Sequence, residues 1–156
     1  ALKELAASVK GADALSLAHA LSGAVSDAIK YMPGATDAHT TAAEALGLGE
    51  GVCQDMAHAL ITIARLHDLP ARYVSGYLFT DSEGKAHEAA HAWAELHIDG
   101  LGWVGFDPAN ACCPDERYIR LGCGMDAQAA APIRGIARGP GDETMEIAVA
   151  IGATQQ

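Results

Sequence analysis

The chain has 156 residues, half of them hydrophobic, and a formal net charge of −10. That length suits one domain able to bury most of its apolar surface, and the apolar content excludes intrinsic disorder. The negative charge argues against a phosphate-binding surface and against attraction to anionic membranes. There is no apolar run of membrane-spanning length and no signal-peptide pattern, so neither nucleic acid nor membrane is expected as a partner.

Residues 2–10 read as the first turns of an N-terminal helix, and Asp13 as the N-cap of a second. Leu17, Leu21, Ala24, Val25, Ala28, Ile29 and Met32 hold a helical stripe up to Pro33, where Pro33-Gly34 turns the chain. Thr40 or Thr41 caps a short helix running to Leu46. Gly47, Gly49 and Gly51 then loosen the backbone, which lets main-chain N–H groups approach a substrate.

A long apolar segment follows, Met56 to Leu69, ended by Pro70. In it Met56, Leu60, Ile63 and Ala64 recur with the period of a helix face. Cys53 therefore stands at the start of a buried helix, where unpaired N–H groups carry partial positive charge and favour the thiolate. Taken alone, such a cysteine is more often core packing. Asp55, in the first turn, meets the helix dipole favourably. His67, near the far end, reads as a surface group complementing that dipole, and His39, His87 and His97 as solvated.

After Pro70 the texture turns to strands. Residues 72–79 are rich in β-branched and aromatic side chains, and residues 81–88 form a polar loop. From His91 to Ile98 the chain alternates, with Ala92, Ala94, Leu96 and Ile98 on one face and His91, Trp93, Glu95 and His97 on the other. Asp99-Gly100-Leu101-Gly102 supplies a hairpin turn, and Trp103 to Asp107 returns as the next strand. Residues 117–121 form a further strand, residues 122–131 a loop of small residues, and Met145 to Ile151 a terminal strand. Helices first and strands afterwards indicate an α+β domain with an antiparallel sheet. The chain opens on Ala1, so the single domain 1–156 is expected to lack an upstream segment or domain.

Four cysteines occur, Cys53, Cys112, Cys113 and Cys123, at spacings that match no zinc pattern. A bridge from Cys123 to Cys112 or Cys113 is geometrically open, but reduced thiols and a cytoplasmic setting are the expectation. No metal or cofactor is expected. Arg117, Arg120, Arg134 and Arg138 are too scattered for a nucleic-acid face.

A thiol needs a base to ionise it, and the base needs a third group to orient it. His91 opens one strand and Asp107 closes its neighbour, so the hairpin brings both to one end of the sheet, against which the Cys53 helix start can pack. This makes Cys53, His91 and Asp107 the candidate catalytic residues, with the Cys53 N–H as one oxyanion donor. Trp93 and Trp103 read as packing around the site. Faces alternate strictly along a strand, so a two- or four-residue loop would set Asp107 opposite Ala94, on the wrong face for His91. A three-residue loop or a glycine bulge is required, with Asp107 beside Trp93 and diagonal to His91.

The residues also carry a resemblance. Gly51-Val52-Cys53-Gln54-Asp55-Met56-Ala57-His58 resembles the nucleophile motif of the bacterial transglutaminase-like superfamily. His91-Ala92-Trp93-Ala94-Glu95 is similar to its histidine motif, and Gly102 to Pro108 to its aspartate motif. Residues 31–36 and 69–77 fit as well. Met125-Asp126-Ala127 departs from the Arg-Asp-Tyr run of close relatives. The resemblance implies a papain-like α+β fold and a Cys-His-Asp triad at Cys53, His91 and Asp107. It further implies acyl transfer from a peptide or protein amide through a thioester, to an amine acceptor or to water. The alternative is a peptide-binding module that keeps the fold without turnover. If the thiol and imidazole rest as an ion pair, residue 107 has only to accept one hydrogen bond. Asparagine there is then expected to cost ten- to a hundredfold in activity.

Overall fold

A cysteine-bearing helix lies against a four-stranded antiparallel sheet in the computed structural model of the protein, which describes residues 1–79, 90–133, 135 and 139. Helix α1, Leu2–Ser8, is followed by α2, Ala14–Ala28, whose N-cap Asp13 accepts the Ser16 N–H at 2.7 Å. The apolar stripe runs past the end of α2, but the backbone turns extended at Ile29. Lys30–Tyr31 leaves the helix as a short strand, β1, parallel to β2, Glu50–Gly51. Ile29 remains fully buried, which explains why the periodicity overran the helix by one turn.

Between these two strands sits α3, Ala42–Leu48. Thr41 and Glu44 cap its start reciprocally, and Gly49 closes it at φ 71° in the left-handed region. The glycine run expected to loosen this backbone does the opposite. Gly51 pairs with Tyr31 in β2, packed so closely that a Cβ there would press on Asp55 and Ile29.

Helix α4, Cys53–Leu66, begins on the predicted cysteine and stops three residues before the predicted Leu69. Asp68 takes a left-handed φ of 60°, Leu69 N–H donates to Ala64 O and Asp68 N–H to Arg65 O. These two bonds satisfy the last carbonyls of the helix and end it ahead of Pro70. Helices α1, α2 and α3 pack on α4, and α4 packs on the sheet. His67, expected as a surface group complementing the helix dipole, is half-buried, and its Nε2 lies 2.8 Å from Ala6 O, joining α4 to the end of α1.

The sheet contains β3, Ala71–Leu78; β4, Ala90–Ile98; β5, Gly102–Phe106; and β6, Tyr118–Gly124. Its spatial order is β5-β4-β3-β6. The strand expected over 117–121 thus runs on through Gly124, into residues expected to form a loop. Ala92, Ala94, Leu96, Ile98 and Phe106 join Leu60, Ile61, Ile63 and other α4 residues in one core. The opposite face of β4 is also covered. His91 and Trp93 are buried, and Glu95 is held between Arg72 at 2.6 Å and Arg120 at 2.9 Å. The expected loop 81–88 and terminal strand 145–151 fall outside the described residues.

Trp103, expected beside the site, stands at the other end of the hairpin opposite His97. It is 42% exposed, with the Arg72 guanidinium 4.0 Å over its ring. No helix among the described residues is long and apolar enough to cross a membrane.

Candidate active site

Strands β4 and β5 are joined by three residues, because Ile98 pairs with Gly102 and Ala94 with Phe106. Gly100 and Gly102, at φ 82° and 81°, supply the left-handed backbone this odd turn needs. Continued one step, the register sets Asp107 beside Trp93, on the face of His91. The odd connection expected from the alternation is therefore the one the sheet has. His91 Nε2 lies 2.6 Å from Asp107 Oδ2, with 6% of the histidine and none of the aspartate exposed.

Asp107 sits in a closed turn. Its N–H donates to Cys112 O at 2.8 Å, and Cys112 N–H donates back to Asp107 O at 3.2 Å. Oδ1 accepts the backbone N–H groups of Ala109 at 3.0 Å and Asn110 at 3.4 Å. Oδ2 accepts from His91, from the Asn110 amide at 2.7 Å and from the Tyr118 hydroxyl at 2.7 Å. Burial opposes the carboxylate charge, but the bonds from His91, Asn110 and Tyr118 and the His91 charge outweigh it. The Asp107 pKa is lowered. Burial also opposes the imidazolium. The hydrogen bonds to Asp107 and Cys53 and the charges of both overcome it, and the His91 pKa rises to about 9. With Nε2 engaged by Asp107, the nitrogen left for Cys53 is Nδ1.

Asn110 and Tyr118 were not singled out in the sequence. For Asn110 a signal existed, since an Asp-x-x-Asn turn folds the second side chain back onto the first. For Tyr118 there was none, because it arrives from a strand on the far side of β3. Burial first, then the bonds and charges of Cys112 and Asp107, hold its pKa above the usual phenol range. The hydroxyl keeps its proton and donates a hydrogen bond to Asp107, so the Cys112 thiol, 3.2 Å away, is the donor toward Tyr118 oxygen. Edge-on contact with Trp93, ring centroids 5.4 Å apart, fixes the phenol in place.

Cys53 is half-buried at the first position of α4. The turn before it is held by Asp55, whose Oδ2 accepts the Val52 N–H at 2.8 Å and the Thr36 hydroxyl at 2.6 Å. The first N–H groups of the helix, including that of Cys53, have no intrahelical acceptor. A small cavity of about 40 Å³, walled by Tyr31, His91, Ala109 and Asn110, adjoins the histidine. A larger recess of about 490 Å³ lies along α3, lined by Asp37, His39, Thr40, Glu44, Gly47 and Leu48, apart from this chemistry.

The other cysteines, Cys112, Cys113 and Cys123, are free thiols like Cys53. His58, one turn along α4, accepts the Ala127 N–H at 3.2 Å, so the departing segment Met125-Asp126-Ala127 is tied to the cysteine helix. Among the described residues no group of three or more His, Cys, Asp or Glu side chains is placed to hold a metal ion.

Residues 3–108 match the family profile of the Transglutaminase-like superfamily. An uncharacterised Mycobacterium leprae protein is 38% identical over 127 residues, 79% of this chain and 45% of that protein. One from Mycobacterium tuberculosis is 42% identical over 115 residues, 68% of this chain and 37% of its own length. The chain thus spans less than half the length of these relatives. Among solved structures, a candidate cysteine protease of Cytophaga hutchinsonii superposes with a TM-score of 0.66 at 31% identity. The match covers 75% of this chain and 38% of that one. The periplasmic domain of Pseudomonas aeruginosa TgpA gives 0.50 at 27% identity, over 70% of this chain and 42% of its own. Legionella pneumophila LapG, 12% identical, shares the fold with a TM-score of 0.62 over 84% of this chain and 81% of its own. With two thirds of its length matched by the family profile and its motifs gathered at one end of the sheet, the chain belongs to the transglutaminase-like superfamily.

Proposed function

We propose that this chain is a cysteine-dependent enzyme that cleaves or transfers the acyl group of a peptide or protein amide, with Cys53 as nucleophile, His91 as proton carrier and Asp107 as its orienting partner. The observation that supports this most is His91 itself. It is buried, bonded to Asp107 at one end and to Cys53 at the other, and kept charged at neutral pH by both. Sγ attacks the carbonyl carbon and the carbonyl oxygen takes the electron pair beside the Cys53 N–H. His91 Nδ1 then gives its proton to the departing amine as the C–N bond breaks, leaving a thioester. Water or an amine attacks the thioester, returns a proton to Nδ1 and releases the acid or the new amide. A reducing compartment suits the free thiols, and we assign the enzyme to the cytoplasm on that ground.

Thiol labelling tests this reading against one based on accessibility. Cys113 and Cys123 are exposed while Cys53 and Cys112 are only partly so, and burial together with Cys112 pushes the Cys113 thiol up. Exposure alone would rank Cys113 and Cys123 first with iodoacetamide. The proposed pair instead puts Cys53 first at pH about 6, by at least tenfold, and His91→Ala removes the lead. Equal labelling of the four thiols in the folded protein sinks the proposal and favours a binding module of the same fold.

A further inference from the structure

The cysteine turn offers one oxyanion donor, the Cys53 N–H, and hydrolases of this kind use at least two. A side chain suited to the second stands on the segment paired with that turn, at the small cavity beside His91. Strand β1 runs parallel to β2 with Tyr31 in register with Gly51, two residues before Cys53. The pairing is fixed on both sides of Tyr31, by Lys30 N–H to Gly49 O at 2.9 Å and Met32 N–H to Gly51 O at 2.8 Å. Beyond it, Thr36 ties the same loop to Asp55 on α4 at 2.6 Å. Tyr31 is thus carried by a segment fastened to the cysteine turn at three points, and adjacent strands lie only about 4.8 Å apart.

Its side chain shares the cavity of about 40 Å³ with His91, Ala109 and Asn110. Among these neighbours the Asn110 amide is committed to Asp107, and His91 to Asp107 and Cys53. The Tyr31 hydroxyl remains. The residue is 42% exposed, so it borders the approach of a substrate instead of being sealed in the core. Partial burial, then the charges of Cys53 and Asp107, hold its pKa above the usual phenol range. A donor must keep its proton through the working pH range, and this one does.

We infer that Tyr31 is a catalytic residue whose hydroxyl, together with the Cys53 backbone N–H, binds the oxyanion formed when a carbonyl substrate is attacked by Cys53. The inference rests on the proposed thiol mechanism, and the experiment below separates the two.

Two reagents ask different things of the site. p-Nitrophenyl acetate acylates a thiolate through a tetrahedral oxyanion, forming the thioester and releasing p-nitrophenolate. Iodoacetamide alkylates the same sulfur by displacing iodide, with no oxyanion. Tyr31→Phe is expected to slow acylation of Cys53 on the order of 10²-fold while leaving its alkylation rate within about twofold. Unchanged acylation overturns the inference. So does a parallel fall in both rates, since the tyrosine would then be acting through the fold or the thiolate. If the unmutated protein is not acylated at Cys53, as read by mass after digestion, the enzymatic reading fails and the inference falls with it.

Discussion

Asp107 accepts five hydrogen bonds, and this number changes what a substitution there does. Viewed as a lone partner for the imidazole, residue 107 could be asparagine at a cost of ten- to a hundredfold. The structure shows why that view is too simple. Asparagine has one acceptor oxygen and one NH₂ group. The N–H groups of Ala109 and Asn110 belong to the backbone and cannot turn away, so they hold the oxygen at the Oδ1 position. The NH₂ then faces His91, Asn110 and Tyr118. A phenol can rotate to accept, but His91 can accept at Nε2 only by giving up that proton. The ring is left neutral with its proton on Nδ1, the wrong tautomer for taking a proton from the thiol. We expect Asp107→Asn to cost about 10⁴ in the rate of Cys53 acylation, comparable to the tautomer trap of a serine triad. A loss below a hundredfold, with the fold intact, would return Asp107 to the simpler role.

The start of α4 is an element held from outside. Its N-cap, Val52, has no side-chain acceptor, and Asp55 reaches back from the first turn to take the Val52 N–H while also taking the Thr36 hydroxyl. One buried carboxylate oxygen therefore joins the helix start to the loop that carries Tyr31. Thr36→Val, which conserves shape, removes one of these bonds and is expected to cost about 1.5–3 kcal/mol, the range for a bond to a charged group. Asp55→Ala removes both bonds and a favourable dipole contact, and should cost more than Thr36→Val. Urea denaturation reads both. If Asp55→Ala proves the milder of the two, the carboxylate is not what holds the turn. The glycine-rich approach to Cys53 was read as slack from composition. Pairing, capping and this carboxylate make it rigid, and all three depend on partners remote in the chain.

Across the molecule, two register shifts collect the site. The three-residue turn between β4 and β5 moves Asp107 onto the face of His91. On the other side of β3, the pairing jumps from Ser75↔Gly122 to Gly76↔Arg120, so Leu121 is the extra residue of a bulge. Because Gly76 pairs with His91 and Leu78 with Tyr118, the bulge is what sets Tyr118 on the histidine's face. Without it Tyr118 would point to the opposite face. Gly76 is the hinge of this arrangement, since a Cβ there would run into the Ile119 carbonyl and the Trp93 ring. Gly76→Ala is expected to destabilise the protein by about 2–3 kcal/mol, the upper part of the range for overpacking. It should also slow Cys53 labelling as the Tyr118–Asp107 contact is displaced. Wild-type urea stability in this variant would show that the bulge has room to give.

Local chemistry was enough to single out Cys53, His91 and Asp107 as candidates. An apolar run of helical period beginning at Cys53, and strict alternation from His91 to Ile98, depend only on neighbours within a few residues, and so does the rule that Asp107 needs an odd turn to meet His91. Asp13 was legible as a cap for the same reason, as was the choice of Thr40 or Thr41, of which the structure uses Thr41. The end of α2, the rigidity of the glycines and the cradle around Asp107 were not, because each is settled by a residue far away in the chain. Lys30 pairs with Glu50 across α3, Thr36 reaches Asp55, and Tyr118 comes to Asp107 through a bulge two strands distant. Side-chain alternation says which residues share a face once the register is known. Register between remote strands is set by packing and hydrogen bonding of the assembled sheet, and that information has no local imprint.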